Sequence, residues 1–275
     1  MVRWLVLKGT SRNNGINWIQ TKYRRSCDEK QVGKELMEYF VVQLPDLLDQ
    51  RIIANSLPYI SPEQQAKVES FRHIGDAFRC LTGDLLIRVI ICEKFKVSNQ
   101  ELKFERNSYG KPFWREHPDF QFSVSHSGQL VVCATHDKEI GIDVEQVKAV
   151  DIDFVTTCLS EREMIGALQK EGYDLYDYFC DLWIAKESYV KALGKGMFKS
   201  FDSFSVKLCS NDTITILDRH EEIASNFLCK RYRVSQNYRV ALCAACSSYD
   251  EFPDFPTHLS FHSIYNRFDV RAEYP

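Results

Sequence analysis

Twice along this chain a capped helical segment gives way to a set of strand-like runs, and that repeated order restricts the fold more than any other feature. ISPEQQ supplies Ser61 as a helix cap, Pro62 in the first turn and Gln64 to close a capping box. The helical pattern then runs to about Phe95, broken near Gly75, with Leu85, Leu86, Val89 and Ile90 as a buried stripe. ELKFER reads as a short strand, NSYGKP as a turn, and FQFSVSH, QLVVCATH and EIGIDVE as three strands, the last two tightly joined by Asp137-Lys138. LSEREM opens the second cycle with Ser160 as cap and Glu163 three residues on. The next helix ends at Gly194 and Gly196, and SFDSFSVKL, TITILD and KRYRVSQNYRVALCAA follow as antiparallel strands. Helices with a small sheet in each half predict an α+β protein of two similar lobes. The expected division is 1–122 and 123–250, with 251–275 as a loosely packed tail. The opening MVRWLVLKG looks like a first strand, its apolar run being too short for a signal peptide.

Composition narrows the function. The 275 residues are 44% apolar, enough for a sizeable core, and 35 basic residues against 38 acidic ones give a formal net charge of −3. That balance argues against broad attraction to nucleic acid or membranes, though not against a local phosphate site. No apolar stretch approaches membrane-spanning length. The ten cysteines follow no framework spacing and sit mostly in apolar runs such as LVVCAT and ALCAAC, as reduced, packed thiols do in the cytosol. Cys243, Cys246, His258 and His262 approximate a zinc spacing, but on a strand the two cysteines would face opposite ways.

Three segments carry chemistry. In GIDVEQ, Asp143 and Glu145 alternate with Ile142 and Val144, so on a strand both carboxylates share one face. An isolated pair of this kind is more often a solvated face. Its alternative is a site for a hard cation such as Mg²⁺, which takes one or two carboxylates, water and substrate phosphates. SVSHSG sets His126 beside Ser125; adjacent strand residues diverge, so a Ser–His nucleophilic pair is disfavoured, leaving a core histidine or a phosphate donor. In LWIAKESYVKALGKGM, Trp183, Glu187 and Lys191 stack at steps of four on one helical face. Glu187 and Lys191 alone make an ordinary helix pair worth about 0.2–0.5 kcal/mol, but Trp183 makes that face unfit for full solvation. Lys67, Arg72 and the Lys111 of YGKP are individually unremarkable surface cations, and there is no Walker loop or GxGxxG.

Together these segments are similar to a known series. FSVSHSG, GIDVE and LWIAKESYVKALGKGM, with ISPEQQAK, RCLTGDLLIR, YGKP and FDSFSVKL in the same order, resemble the motifs of the 4′-phosphopantetheinyl transferases over residues 56–246. The likeness is to the long monomeric surfactin-type enzymes and the animal L-aminoadipate-semialdehyde dehydrogenase phosphopantetheinyl transferases. The resemblance implies a pseudo-twofold α+β monomer, each lobe having helices packed on a small, mainly antiparallel sheet, with coenzyme A between the lobes. It implies transfer of 4′-phosphopantetheine from CoA to a serine of an apo acyl or peptidyl carrier protein, releasing 3′,5′-ADP. By that resemblance Asp143, Glu187 and Glu145 would hold Mg²⁺ or Mn²⁺. Lys67, Arg106, Asn107, Ser108, Tyr109, Gly110, Lys111, Ser123, Val124, Ser125 and His126 match CoA-contacting positions, as do Asp143, Glu187 and Lys191, the last three being catalytic. Gln64 and Cys80 depart from the family pattern, standing where the surfactin-type enzyme has a basic and a hydroxyl residue. Implied partners are carrier domains of a fatty-acid synthase, a polyketide or peptide synthetase, or an aminoadipate-reducing enzyme, docking beside Met197 and Phe198, and the implied location is the cytosol. A non-catalytic CoA- or carrier-binding module and another Mg²⁺-dependent diphosphate-cleaving enzyme are the alternatives.

Overall fold

Eleven strands and seven α-helices are found among the residues that the computed structural model describes, 37–195, 200–217 and 226–269. The first half contains β1 (Glu38–Gln43), α1 (Gln50–Ser56), α2 (Pro62–Glu69), α3 (Ile74–Phe95), β2 (Phe104–Arg106), β3 (Pro112–Trp114), β4 (Gln121–Ser127) and β5 (Leu130–His136). After it come β6 (Ile140–Gln146), α4 (Ile152–Cys158), α5 (Glu161–Ala167), α6 (Gly172–Leu193), β7 (Ser205–Leu208), β8 (Thr213–Leu217), β9 (Leu228–Ser235), β10 (Tyr238–Ala244), β11 (Thr257–Ser260) and α7 (Phe261–Asp269). MVRWLVLKG, Gly196, Met197 and Phe198 lie outside the described residues.

Alternation along the strands sorts their side chains into layers. β11, β1, β5 and β4 form one sheet in that order; β6, β10, β9, β8 and β7 form a second, antiparallel throughout. Phe40 and Val42 of β1 and Val131 and Cys133 of β5 face α3, whose buried stripe includes Leu81, Leu85 and Ile91. Tyr39, Val41, Val132 and Ala134 project from the other face and meet Ile142, Val144, Val240 and Leu242 of the second sheet. Ala241 and Cys243 of β10 turn away from that seam and pack under α6 with Ile184, Ala185 and Tyr189. The order through the molecule is therefore α3, sheet, sheet, α6: two lobes, each a 22-residue helix on a small sheet, joined sheet to sheet.

Some expectations change. The sheets divide the chain at the Asp137-Lys138 connection rather than near residue 122, because β4 and β5 complete the first sheet. That connection passes between sheets: β5 pairs with β1 and β4, whereas β6 pairs with β10. The segment expected as a loose tail is structural. β11 extends the first sheet in parallel with β1, and Phe261, Ile264 and Phe268 of α7 are buried in its core. Ser61 caps α2 through the Gln64 amide at 3.3 Å, but the Gln64 side chain leaves the cap and reaches Cys80 Sγ, also at 3.3 Å. Ser160 and Glu163 form the full capping box.

Gly141 explains how closely β6 approaches α6. A Cβ there would fall on the Ser188 carbonyl oxygen and the Ala192 amide nitrogen, backbone atoms that cannot swing aside. Gly141→Ala is expected to cost about 1–3 kcal/mol or more by overpacking. Gly75→Ala, whose Cβ would meet only the flexible end of Arg79 at 3.4 Å, should leave stability unchanged or slightly raised. Urea unfolding midpoints of the two variants provide the comparison.

Candidate active site

β6 is an edge strand, and so is β4. The two abut without a backbone ladder, and serine side chains close the gap. Ser123 Oγ accepts from the Ile142 amide (3.1 Å) and Ser127 Oγ from the Gln146 amide (3.2 Å). Ser125 Oγ donates to Asp143 Oδ1 and Ser127 Oγ to Glu145 Oε2, each at 2.6 Å. Every second residue of β4 thus satisfies a group of β6, as the two-residue period of a strand requires. Asp143 is only 3% exposed, and its second oxygen, Oδ2, is buried without a hydrogen-bond partner.

α6 supplies the opposing charge. Lys191 Nζ lies 2.6 Å from Asp143 Oδ1 and donates to Ser125 Oγ at 3.0 Å. The helix-face partner expected from spacing, Glu187, is not the one chosen, since a buried carboxylate outbids a neighbour that keeps some water. Among the described residues nothing hydrogen-bonds to the Glu187 carboxylate. Burial raises its pKa, with Asp143 and Glu145 adding to the rise and Lys191 opposing it. Glu145 is raised by burial too, against the Ser127 hydrogen bond, with Asp143 adding to the rise. One turn earlier, Trp183 anchors the helix among Phe154, Phe179 and Phe201.

Across β4 from this cluster, on the α3 side, is a cavity of about 200 Å³ whose wall includes Lys67, Arg106, Val124 and His126. His126 and Ser125 point to opposite sides of β4, so no nucleophilic pair exists. Although the histidine reaches solvent, desolvation holds its imidazole below the ordinary value, helped by the nearby cations Arg79, Lys191 and Lys67. Of these cations Lys67 shares the cavity wall with the histidine, while Arg79 is paired with Asp76 and Lys191 with Asp143. Gln64 and Cys80, the two departures from the expected pattern, line the same wall in contact with each other.

The remaining expected positions divide. Asn107, Gly110 and Lys111 form a turn directed at the end of α6: Asn107 Nδ2 donates to Gly194 O (2.9 Å) and Lys111 Nζ to Ile140 O (3.0 Å). Ser108 and Tyr109 of that turn are exposed. Several residues that the sequence did not single out belong to the neighbourhood. Glu63 and Asp84 line the cavity, Glu63 holding Arg106 at 3.2 Å. Ser127 fixes Glu145. Lys186, beside Glu187, is wholly buried; its ammonium meets Glu163 at 2.8 Å and donates to Phe201 O and Phe204 O. The one available signal was its place in an otherwise apolar helix face.

No group of three or more His, Cys, Asp or Glu side chains among the described residues is arranged to hold a metal ion. The donor set nevertheless suits a hard cation completed by other ligands: all-oxygen carboxylates that repel one another, with one buried oxygen unpaired. Of the zinc-like spacing, Cys243 lies under α6, whereas His258 and His262 belong to β11 and α7 of the other lobe.

Comparison with known proteins decides the family. The family model "4′-phosphopantetheinyl transferase, N-terminal" matches residues 49–138, and that of the "4′-phosphopantetheinyl transferase superfamily" matches residues 139–243. 4′-Phosphopantetheinyl transferase Sfp of Bacillus subtilis is 34% identical over 83% of this chain and 100% of its own length. The chain belongs to the 4′-phosphopantetheinyl transferase family. L-aminoadipate-semialdehyde dehydrogenase-phosphopantetheinyl transferase of Rattus norvegicus is a more distant relative, 28% identical over 66% of each chain. A holo-(acyl-carrier-protein) synthase from Bacillus anthracis, solved in complex with CoA (3′,5′-ADP), aligns with 40% of this chain and 96% of its own at 23% identity, with a TM-score of 0.34. The boundary between the two matched regions of this transferase, at residues 138 and 139, falls where the chain crosses between sheets.

The electrostatics of the cavity have a direct readout. By nuclear magnetic resonance, His126 should titrate below the ordinary 6.5 or so of a free histidine. Inorganic pyrophosphate should move it upward, because an anion offsets the surrounding cations. No upward movement at saturating pyrophosphate would exclude an anion site at this wall.

Proposed function

We propose that this transferase moves 4′-phosphopantetheine from coenzyme A to a serine of an apo carrier protein and releases 3′,5′-ADP. The observation that carries the reading is the meeting of Asp143, Lys191 and Ser125 at the seam between lobes, with a cavity edged by Lys67, Arg106 and His126 on the other face of the edge strand β4. Such a site offers Lys67, Arg106 and His126 as donors for phosphates, among the wall carboxylates Glu63, Asp84 and Glu105, and a carboxylate cluster for the charge that moves. Phosphoryl transfer asks for this combination of positioning and charge neutralisation more than for covalent catalysis.

In the proposed reaction the carrier serine Oγ forms a bond to the phosphorus on the pantetheine side of the diphosphate. The bond from that phosphorus to the bridging oxygen breaks, and 3′,5′-ADP leaves with the electron pair. Glu187, its carboxylate free of hydrogen bonds among the described residues, accepts the serine proton. Lys191 offsets the charge gathering on the departing phosphate, and His126, Lys67 and Arg106 hold the nucleotide. Asp143 and Glu187 would hold Mg²⁺ or Mn²⁺, with Glu145 kept in place by Ser127 as a third ligand or the holder of a bound water. The ion, when bound, neutralises diphosphate charge. Because both lobes and the whole seam come from one chain, a monomer suffices for the reaction. The nine described cysteines are all free, which supports a cytosolic location.

Carrier domains of fatty-acid, polyketide or peptide synthesis, or of aminoadipate reduction, are the proposed acceptors. Mass spectrometry of a purified apo carrier incubated with CoA, Mg²⁺ and the protein is the test. The carrier should gain phosphopantetheine, and Glu187→Gln should slow the gain by at least about 100-fold, within the range of a lost general base. Chelation should stop the reaction and added Mg²⁺ or Mn²⁺ restore it. CoA binding with no gain in mass would favour a non-catalytic module, and CoA cleavage without carrier modification a different diphosphate-cleaving enzyme.

A further inference from the structure

The turn between β2 and β3 touches two parts of the molecule that the proposed reaction needs in concert. At its start, Arg106 lines the cavity, its Nε 3.2 Å from Glu63 Oε1 and its Nη1 3.1 Å from Gly110 O. Farther along, the turn holds the end of α6. Asn107 Oδ1 accepts from the amides of Tyr109 and Lys111 (2.9 Å each), and the Asn107 amide donates to Lys111 O (2.9 Å), which makes the turn rigid. Asn107 Nδ2 donates to Gly194 O, and Lys111 Nζ donates to Ile140 O on β6 and, at 3.4 Å, to Ala192 O in the last turn of α6.

The Ala192 and Gly194 carbonyls are ones the helix cannot satisfy for itself, and they lie at the negative end of its dipole. Gly194 closes the helix in the left-handed conformation, φ +65°, and a Cβ there would lie 3.1 Å from Lys111 Cδ and 3.4 Å from Asn107 Nδ2. Lys191 sits one residue before Ala192, and Glu187 one turn earlier. Ile140 opens the strand that carries Asp143. A single ammonium from the first lobe therefore ties together the two elements whose side chains form the site.

We propose that Lys111 is a positioning residue: with Asn107 it latches the end of α6 to β6, so that Lys191 and Glu187 are held against Asp143, and it does not bind a phosphate of the substrate. The latch continues through Gly110 O to Arg106, so that an anion drawn to Arg106 acts on the same turn that holds the helix. The environment of the ammonium fits this role. Burial draws the Lys111 pKa down to about 8, and the groups that face it, Glu139 at the start of β6 and the Cys243 thiol of β10, only partly restore it. A half-buried ammonium already given to main-chain carbonyls of α6 and β6 is poorly placed to greet an incoming phosphate.

The inference rests on the transferase reading for its kinetic arm only. Lys111→Met should lower kcat by roughly 10- to 100-fold, the loss expected when reacting groups shift by about an ångström, and leave KM for CoA within about twofold of wild type. Lys111→Arg, which keeps a cation and donors at that point, should recover most of the rate. Hydrogen exchange of wild type and Lys111→Met, both without CoA, reads the latch independently of activity: amides 190–194 should exchange roughly tenfold faster in the variant, while α3 is unchanged. If Lys111→Met does not fold, Asn107→Ala, which removes the Gly194 bond together with the Oδ1 bonds that shape the turn and leaves the Lys111 ammonium in the chain, should give the same pattern. A rise in KM for CoA with kcat and exchange unaltered would overturn the latch and make Lys111 a phosphate ligand. Absence of transfer by the wild-type protein would refute the transferase reading, while the exchange comparison would still decide the latch.

Discussion

Two edge strands that do not pair with each other hold this structure together. An edge strand exposes a row of unpaired amides and carbonyls, and proteins cover such rows in one way or another. Here β4 and β6 cover each other, and side-chain hydroxyls take the place of a ladder. A continuous ladder would have fused the sheets into one and set every β4 residue in fixed register beside β6. The serine bridge instead leaves Ser125 and Ser127 with hydroxyl protons to give, and these go to Asp143 and Glu145. The join between lobes and the orientation of the carboxylates are the same set of bonds.

The helices then bring opposite charge to that line. α6 can lie close enough because Gly141 leaves β6 bare where Ser188 and Ala192 cross it, and Asp177 and Asp181 in its first half meet Arg231 and Arg239 on β9 and β10. Lys186 pins the segment that follows the helix through Glu163, which at the same time caps α5 and accepts from the Val206 amide. Breaking such a buried, fully bonded pair from one side leaves a charge with no solvent, which makes it a strong constraint on geometry even though its net worth is small.

Much of this was legible in the sequence, for identifiable reasons. Capping residues located α2 and α5, the apolar stripe located α3, the steps of four and the closing glycine located α6, and two-residue alternation put Asp143 and Glu145 on one face and Ser125 opposite His126. Alternation, however, says which face a residue takes and nothing about which strand lies alongside. EIGIDVE therefore read as the neighbour of QLVVCATH, when it opens the second sheet, and the lobe boundary fell too early. The last described segment was illegible because β11 is four residues long and pairs with β1 across more than 200 residues of sequence. Spacing likewise proposed Glu187 as the partner of Lys191, since helix periodicity knows only neighbours on the helix. The choice of Asp143 depends on burial, which appears once the strand is packed. For Lys111, YGKP gave the turn but not its direction, which is fixed by carbonyls more than 25 residues away in Ile140 and Ala192.

The charge balance at the seam explains why so many neutral bonds surround it. Asp143, Glu145 and Glu187 share the Lys191 ammonium, with Lys148 acting on Glu145 as well, and burial makes each uncompensated carboxylate costly. Left to relax, such a cluster would splay toward water or take up protons. The Ser125 and Ser127 hydroxyls, the close contact at Gly141 and the Lys111 bonds at the end of α6 all oppose splaying. A site held in this way spends its reorganisation during folding, so a ligand that entered it would meet carboxylates and lysine already in place. Asp143 Oδ2, buried and without a hydrogen bond, is the atom where that preorganisation is left incomplete, and a carboxylate oxygen of this kind suits a hard divalent ion.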